Sequence, residues 1–328
     1  MPRSLHYRPQ LIDELITNER LNSYKNVFQH SDDVELVGAY LWNIQVCSAL
    51  YPLLSVAEVA LRNSIDNALS RDLGRFWWSS TKLLYNSFSP GVNPPYSVAA
   101  LKTNFSNAAA QVVRDKKRRY SIQTTVIPTH HEIIAKTEFS TWEFILDSEF
   151  MGPSRIWPKN LGKVFRGPWP TAKAGKMLRS TQDLVKTVRE FRNRVSHHEP
   201  VWKRYGVSSE TDAIAHLHEK IGKIRSLISI VSPEKELLII KNGLLSRAER
   251  VCSINELRCC QHLIQIQNIT SILELCRAAQ QATDDNITQY ITVDGRGDER
   301  FRSHLHAQLR AQDRRRLAGK YWRHSFRR

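Results

Sequence analysis

One uncharged segment limits how this chain can fold. No Asp, Glu, Lys or Arg occurs between Leu36 and Ala57, and these 22 residues would suffice for a helix that crosses a bilayer. Uncharged polar side chains and one proline interrupt the segment at Asn43, Gln45, Ser48, Pro52 and Ser55. Because proline ends or kinks helices and polar groups are costly in lipid, we expect a pair of helices in a soluble core and no membrane partner.

Apolar residues recur at three- and four-residue spacing along most of the chain, which predicts an all-α fold. The first helical stretch ends at Gly74, a typical helix stop, and an irregular connector is expected over about 76–97. Further helices are predicted over 129–150, 181–196 and 208–233, with one or two more over 253–281. A Trp- and Pro-rich loop is expected over 155–170, and ITVDGRG, residues 291–297, is the one predicted strand.

The formal net charge of +16 is concentrated in two segments. Residues 155–204 hold thirteen Lys and Arg against three acidic residues, and residues 294–328 hold eleven against four. A local excess of cations attracts polyanions, so the segment 294–328 is interpreted as a basic tail that orders on contact with one. We therefore predict a helical domain over 1–205, a C-terminal helical extension over 206–293 and this tail.

Cysteine and histidine spacing disfavours a metal site. Five cysteines occur without a C-x-x-C spacing, and no apolar run follows the basic N-terminal residues as in a secretory signal. His130, His131 and Glu132 stand together, but adjacent side chains diverge on a helix, so we expect a solvated helix start there. The sequence predicts a cytoplasmic protein without a metal or other cofactor.

The segment FRNRVSHHEP, residues 191–200, groups a guanidinium, an amide and two imidazoles at the end of a predicted helix. On a helical wheel Arg192 lies beside an apolar stripe, where it can border a cleft. The stripe consists of Leu184, Val188, Phe191 and Val195. Because Pro200 distorts the last turn, the wheel does not decide between His197 and His198.

These residue types suit cleavage of RNA. An imidazole can take a proton from the 2′-hydroxyl or give one to the leaving 5′-oxygen, while Arg192 holds a phosphate oxygen and Asn193 adds a neutral donor. In-line transfer needs a base and an acid, and two copies in a symmetric dimer would supply both. A solvated helix end is the alternative interpretation of the same residues.

Three blocks of the sequence resemble the Abi-like (abortive infection) proteins of bacteria, a branch of the HEPN superfamily. They are LWNIQVCSALYPLLSVAEVALRNSIDNALSRDLGRFWW, STWEFILDSEF with RIWPKNLGKVF, and VREFRNRVSHHEPVW, in the family's order. The resemblance runs from about Leu41 to Trp202. Nothing is recognised beyond Arg204.

The resemblance implies a HEPN-type helical bundle, a homodimer, and metal-independent endoribonuclease activity used in antiphage defence or as a toxin. Arg192 and His197 match the motif arginine and histidine, and Asn193 matches the polar residue between them. His198 is then an accessory residue. Glu58, Arg62 and Asp66 lie at four-residue steps on one helix face, which is typical of an exposed ion-pair ladder. Because Glu58, Arg62 and Asn63 match the first block, the alternative interpretation makes these three accessory residues that brace the motif helix or contact RNA.

Basic residues around the motif are predicted to bind RNA, although solvated charges are the alternative. They are Lys159, Lys163, Arg166, Lys173, Lys176, Arg179, Lys186 and Arg189. Trp157, Phe165 and Trp169 could stack on bases or anchor the core. The expected partners are a substrate RNA, an inhibitory non-coding RNA and an antitoxin. The alternatives are a non-catalytic RNA-binding protein, a DNA-binding regulator and, more remotely, a membrane-associated protein.

Overall fold

A computed structural model describes residues 16–121, 124–263, 266–293 and 302–304. The helices up to residue 196 are α1 (Asn18–Lys25), α2 (Asp33–Leu73), α3 (Tyr96–Tyr120), α4 (His130–Lys136), α5 (Phe139–Phe144), α6 (Leu161–Val164) and α7 (Ala174–Ser196). A 3₁₀ turn, Ser148–Phe150, follows α5. The later elements are α8 (Glu210–Val231), α9 (Pro233–Lys241), α10 (Leu244–Val251), α11 (Ile254–Cys260), β1 (Ile266–Ile269), α12 (Ile272–Asp284), β2 (Tyr290–Val293) and β3 (Arg302–His304).

The predicted helix pair around Pro52 is wrong, because α2 is one continuous helix of 41 residues with Pro52 inside it. A proline in a helix interior removes one hydrogen bond and costs about 3 kcal/mol. Leu50, Leu53 and Leu54 beside it are almost completely buried, and their burial offsets that cost. Gly74, at φ +80°, ends the helix as predicted.

The connector between α2 and α3 is irregular, as predicted. The single helix predicted over 129–150 is divided instead into α4, α5 and the 3₁₀ turn. Thr129 caps α4 in a capping box with Glu132. Thr137 adopts an extended conformation after α4, and its hydroxyl donates to the Ile134 carbonyl. This local hydrogen bond ends the helix where the apolar pattern alone continues it.

The C-terminal region contains a small sheet. β1 pairs with β2 in parallel and β2 with β3 antiparallel, in the order β1-β2-β3. The strand predicted near residue 291 is confirmed as β2, while β1 lies inside a segment predicted as helix. The all-α prediction is confirmed, since apart from these strands the described regular elements are helices.

The chain forms two compact units, each assembled from separate segments. Of the residues that the structure describes, the first unit takes those within Met1–Val46, Trp202–Leu217 and Leu245–Arg328, and the second takes those within Cys47–Val201 and His218–Leu244. In the first unit the rings of Tyr24 and Phe28 pack edge-on against Trp202, with centroid distances of 5.1 and 4.8 Å. The predicted division at residue 205 stays a prediction, and the predicted tail lies outside the described residues except for 302–304.

Helix α2 is the one described helix long and apolar enough to cross a membrane. Half of its most apolar stretch is buried inside the protein.

The second unit contains the predicted motif on α7. The buried face of this helix includes Val185, Val188, Phe191 and Val195. The predicted apolar stripe is thus confirmed except for Leu184, which is half-buried. The polar faces of α7 are thereby turned away from the core, toward two separate recesses.

Candidate functional site

The two histidines lie in the turn that ends α7. His197 is the C-cap residue, and His198 adopts the left-handed conformation at φ 55°. The His198 N–H donates to the Val195 carbonyl at 3.2 Å, and the Glu199 N–H donates to the Arg194 carbonyl at 3.0 Å. This pair of bonds is a Schellman motif, in which glycine usually takes the left-handed position. Both imidazoles are exposed at the helix end.

Arg194, which was not predicted as a site residue, fixes this turn. Its Nε lies 3.1 Å from Glu199 Oε2, and its terminal nitrogen donates to the Pro200 carbonyl at 2.6 Å. Because the side chain starts on α7 and ends on the segment after the histidines, it closes the turn around them. The five-residue separation of Arg194 and Glu199 is the sequence signal that could have indicated this clamp.

The Arg192 guanidinium is anchored on one side. Its Nε lies 3.4 Å from Glu58 Oε2, across the space between α7 and α2. A terminal nitrogen makes only a long contact of 3.5 Å with Asn193 Oδ1. Glu58 therefore orients Arg192 through Nε, while the two terminal nitrogens keep donors for an incoming anion.

Burial disfavours the charged form of the Glu58 carboxyl. Burial raises the pKa of its carboxyl, and the neighbouring Arg192 and Arg62 only partly oppose that shift. Of the other two accessory candidates, Arg62 is half-buried and its Nε donates to Asn63 Oδ1 at 3.4 Å. A carboxylate destabilised by burial beside an anchored arginine is typical of a functional site.

A recess of about 770 Å³, here called the motif pocket, brings five of the predicted site residues together. They are Glu58, Lys186, Arg189, Arg192 and Asn193. Residues of α3, of α5 and of the two-residue link before α5 complete the wall, namely Tyr96, Ala100, Asn104, Thr137, Glu138, Phe139, Ser140, Glu143 and Phe144. His197 is not among the residues that line the pocket, so one copy does not bring the imidazole and the guanidinium into the same recess.

Arg189 is committed to an ion pair. Its Nε donates to Glu143 Oε2 at 2.5 Å, and both side chains are largely buried. This contact joins α7 to α5 in the wall of the motif pocket. The fold therefore uses the Arg189 cation for packing, whereas the exposed Lys186 has no hydrogen-bond or ion-pair partner among the described residues.

The predicted RNA-binding residues between α5 and α7 are also paired. Lys159 lies 2.8 Å from Asp72, and Lys163 donates to Asn160 at 3.0 Å. Arg166 donates to Ser232 at 3.0 Å and lies 3.3 Å from Glu234. These contacts hold the loop to α2, α6 and the junction of α8 and α9.

A second recess, the outer groove, lies between α7, α8 and the loop 168–170, and has a volume of about 1210 Å³. It contains Lys176 and Arg179 from the predicted RNA-binding set, while Lys173 precedes α7 in an exposed position. Trp169 lines this groove and is half-buried. Trp157 and Phe165 are instead fully buried, which makes them core anchors.

The expectation of a solvated helix start at His130 is wrong, because this ring is only 3% exposed. The Phe76 N–H donates to its Nδ1 at 2.9 Å, so Nε2 carries the proton and donates to Asp66 Oδ1 at 2.9 Å. His131 brings a third ligand atom within 4.8 Å. A metal ion there would have to displace one of these buried hydrogen bonds, so His130 is better explained as a brace for the connector.

The fold and site define an all-α protein with an anchored arginine and a histidine turn on one amphipathic helix. The model of the Abi-like protein family matches residues 7–203, more than half of the chain. The chain belongs to the Abi-like protein family, which associates it with abortive infection. No curated protein and no solved structure matches it. Placement in the HEPN superfamily agrees with the helical fold and stays a prediction.

Proposed function

We propose that this protein is a cytoplasmic, metal-independent endoribonuclease of antiphage defence or of a toxin–antitoxin pair. The observation that carries the proposal is the anchored guanidinium: Glu58 holds Arg192 through Nε, and Arg192 lines an open polar pocket. A phosphate diester fits such a fork because two parallel N–H donors match two of its oxygens.

The reaction is a transesterification within one RNA strand. The His197 imidazole takes the proton of a 2′-hydroxyl, and the 2′-oxygen attacks the adjacent phosphorus. Arg192 stabilises the negative charge on a nonbridging oxygen, with Asn193 beside it. The bond from phosphorus to the 5′-oxygen breaks, and a second imidazole protonates the leaving oxygen. The products are a 2′,3′-cyclic phosphate and a 5′-hydroxyl.

A second copy of the chain supplies the second imidazole. Helix α2 exposes an uncharged row at Ser48, Tyr51, Ser55 and Val59, with Tyr51 60% exposed. The row follows three- and four-residue spacing and ends beside Glu58, so the same surface of another copy can pack on it near the motif. Substituting Tyr51 by Arg should convert the dimer to a monomer in gel filtration and abolish cleavage.

Incubation of purified protein with end-labelled RNA in EDTA tests the activity. Wild type should give fragments with cyclic phosphate and 5′-hydroxyl ends. Arg192→Ala and His197→Ala should each lower the rate by about 10²- to 10⁴-fold. Lys117→Ala, which removes an exposed cation on α3, is the matched control and should cleave like wild type.

The proposal would be contradicted if Arg192→Ala and His197→Ala, prepared in parallel with wild type, both cleaved RNA at the wild-type rate. Cleavage that persists in monomeric Tyr51→Arg would reject the shared site while leaving the nuclease assignment in place.

A non-catalytic RNA-binding protein is the second candidate. It is favoured by the position of His197, which does not line the motif pocket of its own copy. A salt-sensitive shift of labelled RNA without any fragments, in a preparation that is dimeric, would select this function. In that case an inhibitory non-coding RNA is the natural ligand class, and an antitoxin is not required.

A further inference from the structure

We infer that the outer groove is a second contact surface that binds single-stranded RNA apart from the motif pocket. The inference concerns binding alone and does not depend on cleavage at Arg192. The groove takes its walls from α7, α8 and the loop 168–170, all within the second unit.

The groove carries cations that the protein does not use internally. Lys176, Arg179 and Lys223 are exposed, and none of the three forms a hydrogen bond or ion pair with the described residues. The cations of the motif pocket wall and of the loop 159–166 are different, because most of them have acidic partners. Unpaired cations along one recess are available to phosphates at no cost in broken contacts.

Acidic groups in the groove do not cancel this charge. The Glu236 carboxylate is already paired with a cation of the groove, because Arg225 Nε donates to it at 2.7 Å. Its negative charge therefore offsets Arg225 and not the three unpaired cations. A hydrogen bond from Ser229, together with Arg225, lowers the pKa of Glu236 and keeps it ionised. Asp183 is the remaining carboxylate among the lining residues, against three unpaired cations.

Trp169 favours a single strand over other polyanions. Its Nε1 donates to the Phe165 carbonyl at 2.8 Å, which fixes the indole at the groove wall while part of its surface stays exposed. A fixed aromatic face beside cations can stack on an unpaired base, whereas bases inside a duplex present no free face. An acidic polypeptide would use the cations but would gain little from the indole.

The wall that holds Trp169 is firmly attached. The Gly167 N–H donates to the Ile230 carbonyl at 3.0 Å, and the Arg166 N–H donates to the Val231 carbonyl at 3.3 Å. A Cβ on Gly167 would lie 1.9 Å from the Ser229 oxygen, so only glycine allows this approach to α8. The groove is therefore formed before any ligand arrives, which lowers the entropic cost of binding.

The test is fluorescence anisotropy with a labelled twelve-nucleotide oligouridylate, in an Arg192→Ala background so that the probe is not cut. The triple variant K176A/R179A/K223A should bind about 100-fold more weakly near 0.1 M salt, and its slope of log K against log salt should be shallower by about 2. The matched control K25A/K117A/K241A removes the same charge from exposed positions elsewhere and should bind within about threefold of the parent. Trp169→Leu should weaken binding about tenfold, and Trp169→Phe should restore most of it.

Equal loss in the two triple variants would overturn the inference, because binding would then follow net charge alone. Binding of a duplex of the same length as tightly as the single strand would overturn it too, as would full competition by polyglutamate of equal charge. The three substituted cations are exposed and unpaired, so the triple variant keeps its fold, which its thermal transition verifies.

Discussion

The motif pocket and the outer groove lie on different faces of the same helix, and most of their cations differ in pairing. Among the described residues, Lys186 is the one motif-pocket cation without a partner, and Arg225 is the one outer-groove cation with a partner. In the motif pocket Glu58 holds Arg192 and Glu143 holds Arg189. In the outer groove Lys176, Arg179 and Lys223 make no such contacts among the described residues. An arginine fixed by a carboxylate is suited to position one phosphate, whereas unpaired cations are suited to hold a strand in many registers.

This difference shows why the net charge of a segment is a poor guide to what it binds. Residues 155–204 carry a large cationic excess, but Lys159, Arg166 and Arg189 are joined to Asp72, Glu234 and Glu143. Those partners come from distant parts of the sequence. Charge that the fold has already neutralised adds little to the attraction of a polyanion.

Replacing Arg192 by Lys should produce the largest contrast between the two recesses. The positive charge remains, but the planar fork that matches a phosphate is lost, so the cleavage rate should fall about 10²-fold. Binding of an oligouridylate with methylated 2′-hydroxyls, which neither protein can cut, should stay within about threefold of wild type in the outer groove. Single-turnover cleavage and anisotropy on the same preparation measure both, and a parallel loss of binding would show that the two recesses act as one surface.

Two glycines beside the outer groove should respond in opposite directions. Gly167→Ala should destabilise the fold by about 3 kcal/mol, because the new Cβ meets the Ser229 carbonyl oxygen. Gly222→Ala is the matched control: it lies on α8, nothing lies within 4 Å of its Cβ position, and the change should stabilise the helix by about 0.5–1 kcal/mol. Urea unfolding measures both, and a stable Gly167→Ala protein would mean that the loop is not held against α8.

The Arg189–Glu143 pair should behave as a structural contact. Removing either side chain leaves a largely buried charge without its partner, so Arg189→Ala and Glu143→Ala should each cost about 3 kcal/mol. The double variant should be less destabilised than the sum, with a coupling of about 1 kcal/mol or more. Lys186→Ala, which removes an exposed cation from the same pocket, should leave stability unchanged. If the effects of the two single substitutions were additive, Arg189 and Glu143 would not be coupled, and Arg189 would again be interpreted as an RNA-binding residue.

Much of the fold follows from local sequence. The apolar spacing of α7 and α8 and the Gly74 stop are each readable within a few turns. The continuity of α2 through Pro52 is not, because it depends on burial of Leu50, Leu53 and Leu54 by other elements. Strand β1 could not be predicted from local sequence either, because it forms by pairing with β2, whose Tyr290 lies opposite Ile266 and 24 residues later.

The site divides in the same way. The sequence indicated which residue types gather near residue 192 and that Pro200 distorts the last turn. One of its two interpretations made Glu58 a brace of the motif helix, but it did not indicate that Glu58 binds Nε of Arg192. It also did not indicate that Arg194 clamps that turn, because both contacts depend on side-chain directions in three dimensions. The expectation that His130 is solvated was wrong because its hydrogen-bond partner, Asp66, lies 64 residues away in the sequence.

Stability should depend on pH through Glu58. Since burial raises the pKa of its carboxyl in the folded protein, ionisation opposes folding as the pH rises from the unfolded-state pKa through the folded-state pKa. Glu58→Gln should therefore gain stability relative to wild type between pH 4 and pH 8, by less than the preceding effects because Arg192 offsets part of the burial. Unfolding curves at the two pH values measure this difference. If the stability of Glu58→Gln relative to wild type fell as the pH rose, the expected direction of the effect would be contradicted.

The smallest effect is expected at His198, which occupies the left-handed position that glycine favours. His198→Gly should raise stability by about 0.5 kcal/mol, or about 1–2 °C in Tm, because it removes steric strain in the Schellman turn. Ser121→Gly is the control, since Ser121 has φ 51° at the end of α3, far along the chain from the motif. Both variants should be stabilised alike, so a fall in cleavage confined to His198→Gly would assign that imidazole a part in the reaction, while unchanged cleavage would leave His197 as the residue that moves the proton.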